Sequence, residues 1–330
     1  MERWRGFEQI PAGWGRCVLT IGVFDGVHRG HRALVERVVA RGHELGLPTV
    51  LMTFDPHPAE VVRPGSHPAA LSSLRRRAEL VAELGIDVFM VLPFSTAVAA
   101  TEPEEFVHDL LVDRLHVAAV LVGENFRFGH KASGNLALLQ RLGPRFGFTA
   151  EGIGIVDGAG GDGSAAGIAV TSTYVRSCVD AGDVRAAAAA LGRPHRLEGV
   201  VVRGEGRGGS ELGYPTANLD VTAHGAVPAD GIYAGWFLLG DRRSPAAISV
   251  GTNPTFSGKV RTVEAFVLDQ GGNFYGRRVA LDFVERLRGQ IKFDAVEPLI
   301  AQIDQDVRQT REVLALSPTD LDDDGPCKPG

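Results

Sequence analysis

The sequence predicts two consecutive domains: an α/β Rossmann-like domain built on a parallel sheet, then a small antiparallel β-barrel closed by a C-terminal helix. Two observations predict this. Up to about residue 156 strand-like apolar runs alternate with helix-like periodic segments, the succession that forms a parallel sheet covered by helices. From residue 197 short β-branched runs are separated by glycine turns, the texture of a small barrel. A length of 330 residues is also too great for one comfortable core, and 44% hydrophobic residues supply material for two.

In order, residues 17–23 read as a strand, 31–44 as a helix, 48–53 as a strand, 73–84 as a helix and 88–92 as a strand. Residues 102–115 then read as a helix, 118–122 as a strand, 135–142 as a helix and 148–156 as a strand. Residues 158–167, nearly all Gly, Ala, Ser and Asp, are too small and polar for core and predict a flexible loop. A helix over 174–190 leads through Leu191-Gly192-Arg193-Pro194 to strands at 199–202, 231–239, 247–250, 262–268 and 278–283, and a helix over 295–314. The domain limits are therefore 1–188 and 189–315. Residues 316–330, with four aspartates and three prolines in the stretch from 318, predict a disordered tail.

The net charge of −6, from 34 basic and 40 acidic residues, announces no polyanion-binding surface, and nucleic acid is not expected as a partner. Three widely spaced cysteines, Cys17, Cys178 and Cys327, argue against a disulfide framework and for a reducing compartment. No leader-like pattern precedes the first strand and no apolar run approaches a membrane span, so a soluble cytoplasmic protein acting on small molecules is expected. Homo-oligomer formation stays open, since surface patches cannot be told from core in a sequence.

The most informative stretch is Gly22-Val23-Phe24-Asp25-Gly26-Val27-His28-Arg29-Gly30-His31. It follows an apolar strand and opens an amphipathic helix. Glycines let backbone approach phosphate, and a helix N-terminus attracts its charge. His28 and His31, three apart, can point at one ligand and stabilise charge on a reacting phosphorus. Adenylyl transfer from ATP is the first candidate; a zinc pair lacks further ligands at familiar spacing. Asp55 and His57 lie just past a strand end, where they would meet substrate phosphates or serve only as turn residues before prolines. In Gly123-Glu124-Asn125-Phe126-Arg127-Phe128-Gly129 two aromatics could frame a flat ring around a phosphate-binding arginine, or alternate as an edge strand. Ser172 and Thr173 can cap the next helix, with Arg176 toward phosphate or merely solvated.

In the second domain Gly204-Glu205-Gly206-Arg207-Gly208-Gly209 can wrap ATP, and Gly213-Tyr214-Pro215-Thr216-Ala217-Asn218 follows. Thr216 and Asn218 offer oxygen ligands of the type Mg²⁺ accepts. Alternation in 261–266 sets Glu264 on the face of Thr262 and Phe266.

These motifs resemble, in order and over about residues 10–312, the bacterial bifunctional riboflavin kinase and FAD synthetase family, whose first domain is an HxGH nucleotidylyltransferase. The resemblance is carried by residues 22–31, 123–129, 171–176 and 204–219. It implies an enzyme that phosphorylates riboflavin with ATP to FMN, then adenylylates FMN with a second ATP to FAD and pyrophosphate, with Mg²⁺ required. It implies His28, His31 and Arg176 in adenylyl transfer and Glu264 as base for the kinase. Ligand contacts are implied for Gly22, Phe24, Asp25, Gly30, Asp55, His57, Asn125, Phe126, Arg127, Phe128, Ser172 and Thr173. In the kinase they fall on Gly204, Arg207, Gly213, Pro215, Thr216, Asn218, Asn253, Tyr275, Arg288 and Phe293. The chain departs from the family pattern at Asn125, where aspartate is usual, at Lys131, where arginine is common, and in a 207–211 loop one residue longer and without a second arginine. A kinase with a degenerate first domain, or a flavin- or nucleotide-binding regulator without turnover, are the alternatives.

Overall fold

The computed structural model describes residues 1–154, 157–158, 168–203, 216–221, 225–255, 258–269 and 273–315, the side chains of 157–158, 168, 253–255 and 258–260 excepted. The expected loop at 158–167 lies almost wholly outside the described residues, and the tail at 316–330, Gly204, Arg207, Gly213 and Pro215 lie wholly outside them, as does the side chain of Asn253. Two compact units are present, Met1–Ser172 and Thr173–Gly330.

The first unit runs β1 (Glu2–Arg5), β2 (Cys17–Ile21), α1 (Arg29–Leu45), β3 (Thr49–Asp55), α2 (Pro58–Val62), α3 (Leu74–Glu83), β4 (Val88–Pro93), α4 (Thr96–Ala100), α5 (Pro103–Phe106), β5 (Val117–Gly123), β6 (Arg127–Phe128), β7 (Gly134–Asn135), α6 (Leu136–Phe146), β8 (Thr149–Ile153), β9 (Asp157–Gly158) and β10 (Ile168–Ala169). Six strands pair in parallel in the order β1-β4-β3-β2-β5-β8. Their apolar residues divide by period two between two cores. Leu19, Val50, Met52 and Val120 face one layer of helical elements, whereas Val18, Leu51, Phe89 and Leu121 face α1 and α3. Chain order reverses between β2 and β5, so their carboxyl ends flank a crevice of the kind that takes ligands in open α/β sheets.

The expected sheet and its helices are present, with three departures. β1 joins the sheet edge beside β4, which its four residues with a single buried side chain did not announce. The helix expected over 102–115 is α-helical only through α5 and continues as a π-helical turn, Val107–Arg114. The helix expected over 174–190 is two: α7 (Ser172–Ala181) and α8 (Val184–Leu191). Gly182, at φ 76°, ends the first, and Asp183 accepts the Ala186 amide at 2.9 Å to cap the second.

The second unit continues from those helices into a closed barrel of β11 (His195–Val202), β12 (Thr216–Val221), β13 (Gly231–Leu239), β14 (Arg242–Thr255), β15 (Gly258–Val267) and β16 (Arg278–Arg288), followed by α9 (Val296–Ala315). Among the described residues every ladder of the barrel is antiparallel, in the order β11-β12-β15-β14-β13-β16. Tyr233, Phe237, Ile248, Val263, Ala265 and Phe283 fill the interior. The alternate positions Thr216, Asn218, Ser249, Glu264 and Phe266 are partly exposed on the outer face. β12 adds a strand where the sequence reading placed candidate Mg²⁺ ligands, Thr216 and Asn218, without assigning one.

Candidate active sites

In the first unit a cavity of about 220 Å³ opens at the crevice between β2 and β5, lined by His28, Gly30, His31, Gly123, Asn125 and Ser172 among others. His28 is the N-cap of α1, and its Nδ1 accepts the His31 amide at 3.3 Å. The two rings stack, centroids 3.7 Å apart and planes 20° from parallel. His31 Nδ1 is buried and finds no hydrogen-bond partner among the described residues, an unmet polar atom at the mouth of a helix N-terminus. Burial first, then the neighbouring His28 and Arg77, hold the His31 imidazole well below its usual 6.5. At neutral pH it is an uncharged ring that can donate one hydrogen bond and accept another.

The turn that presents these rings is tight. Phe24 (φ 52°) and Val27 (φ 41°) adopt the left-handed region on either side of Gly26, at a cost of order 1 kcal/mol or more each. Gly30 is required by close approach: a Cβ there would lie 3.2 Å from the His28 ring and 3.3 Å from the Val170 carbonyl. At Gly22 a Cβ would stand 3.1 Å from the Phe24 ring, which is itself buried against α1 and touches His31 edge-on at 5.2 Å.

Asp25 sits behind this turn and does not line the cavity. Its buried carboxylate accepts the amides of Leu71 (3.0 Å) and Ser72 (3.1 Å), and Arg77 Nη2 approaches to 3.3 Å. Its carbonyl accepts the Ser172 hydroxyl at 2.9 Å, so that hydroxyl braces the turn from the first residue of α7.

Other residues singled out in the sequence are distributed less uniformly. Asp55 pairs with Arg5 at 2.8 Å and His57 caps α2 by accepting the Ala59 amide at 3.0 Å; neither lines the cavity. Asn125 does line it. Phe126 and Phe128 stack at 5.5 Å and pack on the core, Phe128 being buried, while Arg127 is exposed with its guanidinium on the Phe126 carbonyl at 3.0 Å. Thr173 is exposed and Arg176 half-buried, both on α7 and both within the second unit.

The second unit holds a cavity of about 300 Å³ on the outer face of the barrel, beneath the 288–293 segment and α9. Thr216, Glu264, Phe266, Arg288 and Phe293 line it, with Leu299 and Ile303 of α9 opposite. Thr216 Oγ1 donates to Glu264 Oε2 at 3.2 Å, and register sets Asn218 directly across from Glu264. Three hard oxygen donors thus share one face of two adjacent strands. Arg288 grips Asp306 of α9 with two bonds of 2.8 and 2.6 Å, and Gln290 donates to Ser249 Oγ and the Val250 carbonyl. Tyr275 is exposed outside this lining, its amide held by Asn273 Oδ1 at 3.0 Å. The sequence reading missed Arg77, Ser249, Gln290 and Asp306. For Arg77 a signal existed, a charge on the apolar stripe of α3.

Phosphate-binding geometry at the switch point of one sheet, and a carboxylate among oxygen donors beside an apolar cavity on a barrel, are the equipment of an ATP-dependent transferase with two reaction centres. Comparison with known proteins gives the family. Residues 10–165 match the family model of FAD synthetase and residues 191–314 that of riboflavin kinase. A bifunctional riboflavin kinase/FMN adenylyltransferase of Escherichia coli K12 is 35% identical over 302 residues, 91% of this chain and 94% of that one. Its counterpart in Pseudomonas fluorescens is 35% identical over 318 residues, 96% and 99% of the two chains. The chain belongs to the bifunctional riboflavin kinase/FMN adenylyltransferase family. A crystal structure titled as a macrolide-efflux protein of Streptococcus pneumoniae superposes with a TM-score of 0.83 at 27% identity, covering 94% of this chain and 99% of that one. Among the described residues here, no helix is long and apolar enough to cross a membrane.

Proposed function

We propose that the chain makes FAD in two ATP-consuming steps, with residues 189–315 phosphorylating riboflavin and residues 1–188 adenylylating the resulting FMN. The observation that carries this reading is that one chain holds both cavities, each lined by the polar groups its step needs.

For the kinase step, riboflavin's isoalloxazine suits the apolar cavity walled by Phe266, Phe293, Leu299 and Ile303. Glu264 then orients the 5′-hydroxyl and accepts its proton as the γ-phosphoryl group is transferred. The hydroxyl of Thr216, the amide oxygen of Asn218 and the Glu264 carboxylate form a hard donor set that fits Mg²⁺, and Thr216 and Asn218 would hold it. Bound there, Mg²⁺ offsets phosphate charge.

For adenylyl transfer the nucleophile is the FMN phosphate, whose second pKa near 6 leaves it ionised at neutral pH. No general base is needed, which agrees with a neutral His31. His28 and His31 donate to ATP phosphate oxygens at the N-terminus of α1, where charge builds as the α-phosphorus is attacked. Asn125 and Ser172 border the same cavity. The reaction runs in the cytoplasm on small molecules, without nucleic acid.

The test is a time course with riboflavin, excess ATP and Mg²⁺, separating FMN and FAD chromatographically and repeating the reaction from FMN. FMN followed by FAD, and FAD from added FMN, is the expected result. FMN accumulating without FAD would leave only a kinase, and no ATP-dependent product would leave a binding protein.

A further inference from the structure

On α3 the core residues Ala78 and Val81, with Leu74 packed beside them, define an apolar stripe at helical spacing, and residue 77 falls on it. Arg77 stands there, buried. A guanidinium taken out of water is costly unless its donors are met. Those of its two terminal nitrogens are met on three segments. Nη1 donates to the Val23 carbonyl at 2.8 Å and reaches Thr53 Oγ1 at 3.4 Å; Nη2 meets the Ser72 carbonyl at 3.2 Å and Asp25 Oδ1 at 3.3 Å. Thr53 Oγ1 itself donates to the Val23 carbonyl at 2.9 Å, and Ser72 Oγ accepts the Gly26 amide at 2.9 Å. The end of β3 and the start of α3 are thereby tied to the turn that carries Phe24 and Val27 in left-handed conformations and delivers His28 and His31 to the cavity.

We infer that Arg77 is a positioning residue for adenylyl transfer: it clamps the 23–26 turn from behind, so that the stacked His28 and His31 rings are held against the phosphates of ATP. The inference rests on the adenylyltransferase reading of that cavity. Arg77 does not line the cavity and touches no substrate; it acts through Val23 and Asp25. Its charge has a second consequence. With burial and His28, it keeps the His31 ring neutral; the titratable and charged groups facing His31 are the His28 imidazole and the Arg77 guanidinium, the latter paired with Asp25.

The experiment compares Arg77→Met, Arg77→Lys and Ser72→Ala in the full chain, following FAD formation from FMN. Loss of the clamp lets the histidines shift by about an ångström, so Arg77→Met should lower kcat about a hundredfold. The KM for FMN should stay within about threefold, because the clamp acts on transition-state alignment and not on flavin binding. Riboflavin phosphorylation by the same preparation should be unchanged. Arg77→Lys keeps the charge and some donors, and should recover about tenfold of the loss. Ser72→Ala leaves Arg77 in place, removes only the hydroxyl contact to the Gly26 amide and Asp25, and should cost about fivefold in the same kcat. Proton NMR of the ring should show His31 protonating at higher pH in Arg77→Met than in wild type. An Arg77→Met kcat within threefold of wild type, or a lysine variant no better than methionine, overturns the inference. So does a loss of both activities in parallel with the folded fraction. A wild-type protein that makes no FAD from FMN overturns instead the reading of the cavity.

Discussion

Asp306 of α9 is 5% exposed at its side chain and Arg288 17%, and two charge-assisted bonds of 2.8 and 2.6 Å join them, with Gln302 adding a third to the same carboxylate at 3.0 Å. The pair pins α9 over the barrel cavity. Replacing Asp306 with leucine strands a largely buried guanidinium, which costs about 3–5 kcal/mol. For a unit of this size each kcal/mol moves the melting midpoint by about 2–4 °C, so the variant should melt about 6–20 °C lower. The double variant Arg288→Met/Asp306→Leu replaces the ion pair by apolar groups of similar volume and should return to within about 1 kcal/mol of wild type, since a buried pair gains little over well-packed hydrocarbon. Stability and function then separate. Arg288 lines the cavity, so the double variant regains its midpoint and still shows a raised KM for riboflavin. Scanning calorimetry of the full chain with kinase assays on the same samples makes the measurement. A single variant within about 1 kcal/mol of wild type would refute the energetic argument, and so would a double variant as unstable as the single.

Glu264→Ala should reduce riboflavin phosphorylation more than about tenfold, a lower bound for loss of a positioned base, while FAD formation from added FMN persists. A residual kinase rate above that would remove Glu264 from the mechanism. Gly30→Ala places a Cβ 3.2 Å from the His28 ring and 3.3 Å from a carbonyl; FAD formation should fall about tenfold or more through misplacement of that ring, with kinase activity unaffected. His31 also sets a pH trend. Its folded pKa lies well below 6.5, so the unfolded chain binds the extra proton first and stability falls as pH drops below about 6.5, by at most about 1.4 kcal/mol per pH unit from this group. Urea titrations at pH 7, 6 and 5 should show that slope shallower in His31→Gln. Burial pushes the Cys17 thiol up to about 12, so iodoacetamide at pH 8 should leave Cys17 unmodified until urea unfolds the first unit.

What could be read in advance follows the range of the physics that fixes each feature. The strands of the parallel sheet are buried on both faces, so β2 to β5 are near-continuous apolar runs that declare themselves locally. The loop of residues 22–31 is equally local: its glycines answer to φ values and ring contacts within the same ten residues. β1 and β12 were illegible for the opposite reason. Each pairs with a strand far along the chain, β4 for one and β15, besides its chain neighbour β11, for the other, and neither carries an apolar run of its own. The break at Gly182-Asp183 was legible in principle, a C-terminal glycine followed by an N-cap aspartate, but a run of alanines after it outweighs two residues in any periodicity count.

The site residues divide along the same line. His28, His31 and Glu264 reach their cavities from motifs that the sequence displays, whereas Asp25 illustrates what a motif cannot say. Inside a phosphate-binding signature an aspartate invites a ligand role. Here its carboxylate is turned inward onto two amides and Arg77, and what it supplies is the shape of the turn. Motif residues near a ligand are thus of two physical kinds: those that present a polar atom to the cavity, and those that hold the backbone in a conformation it would not keep alone. A left-handed Phe24 and Val27 need the second kind, and the buried Arg77–Asp25 pair meets that need from outside the motif.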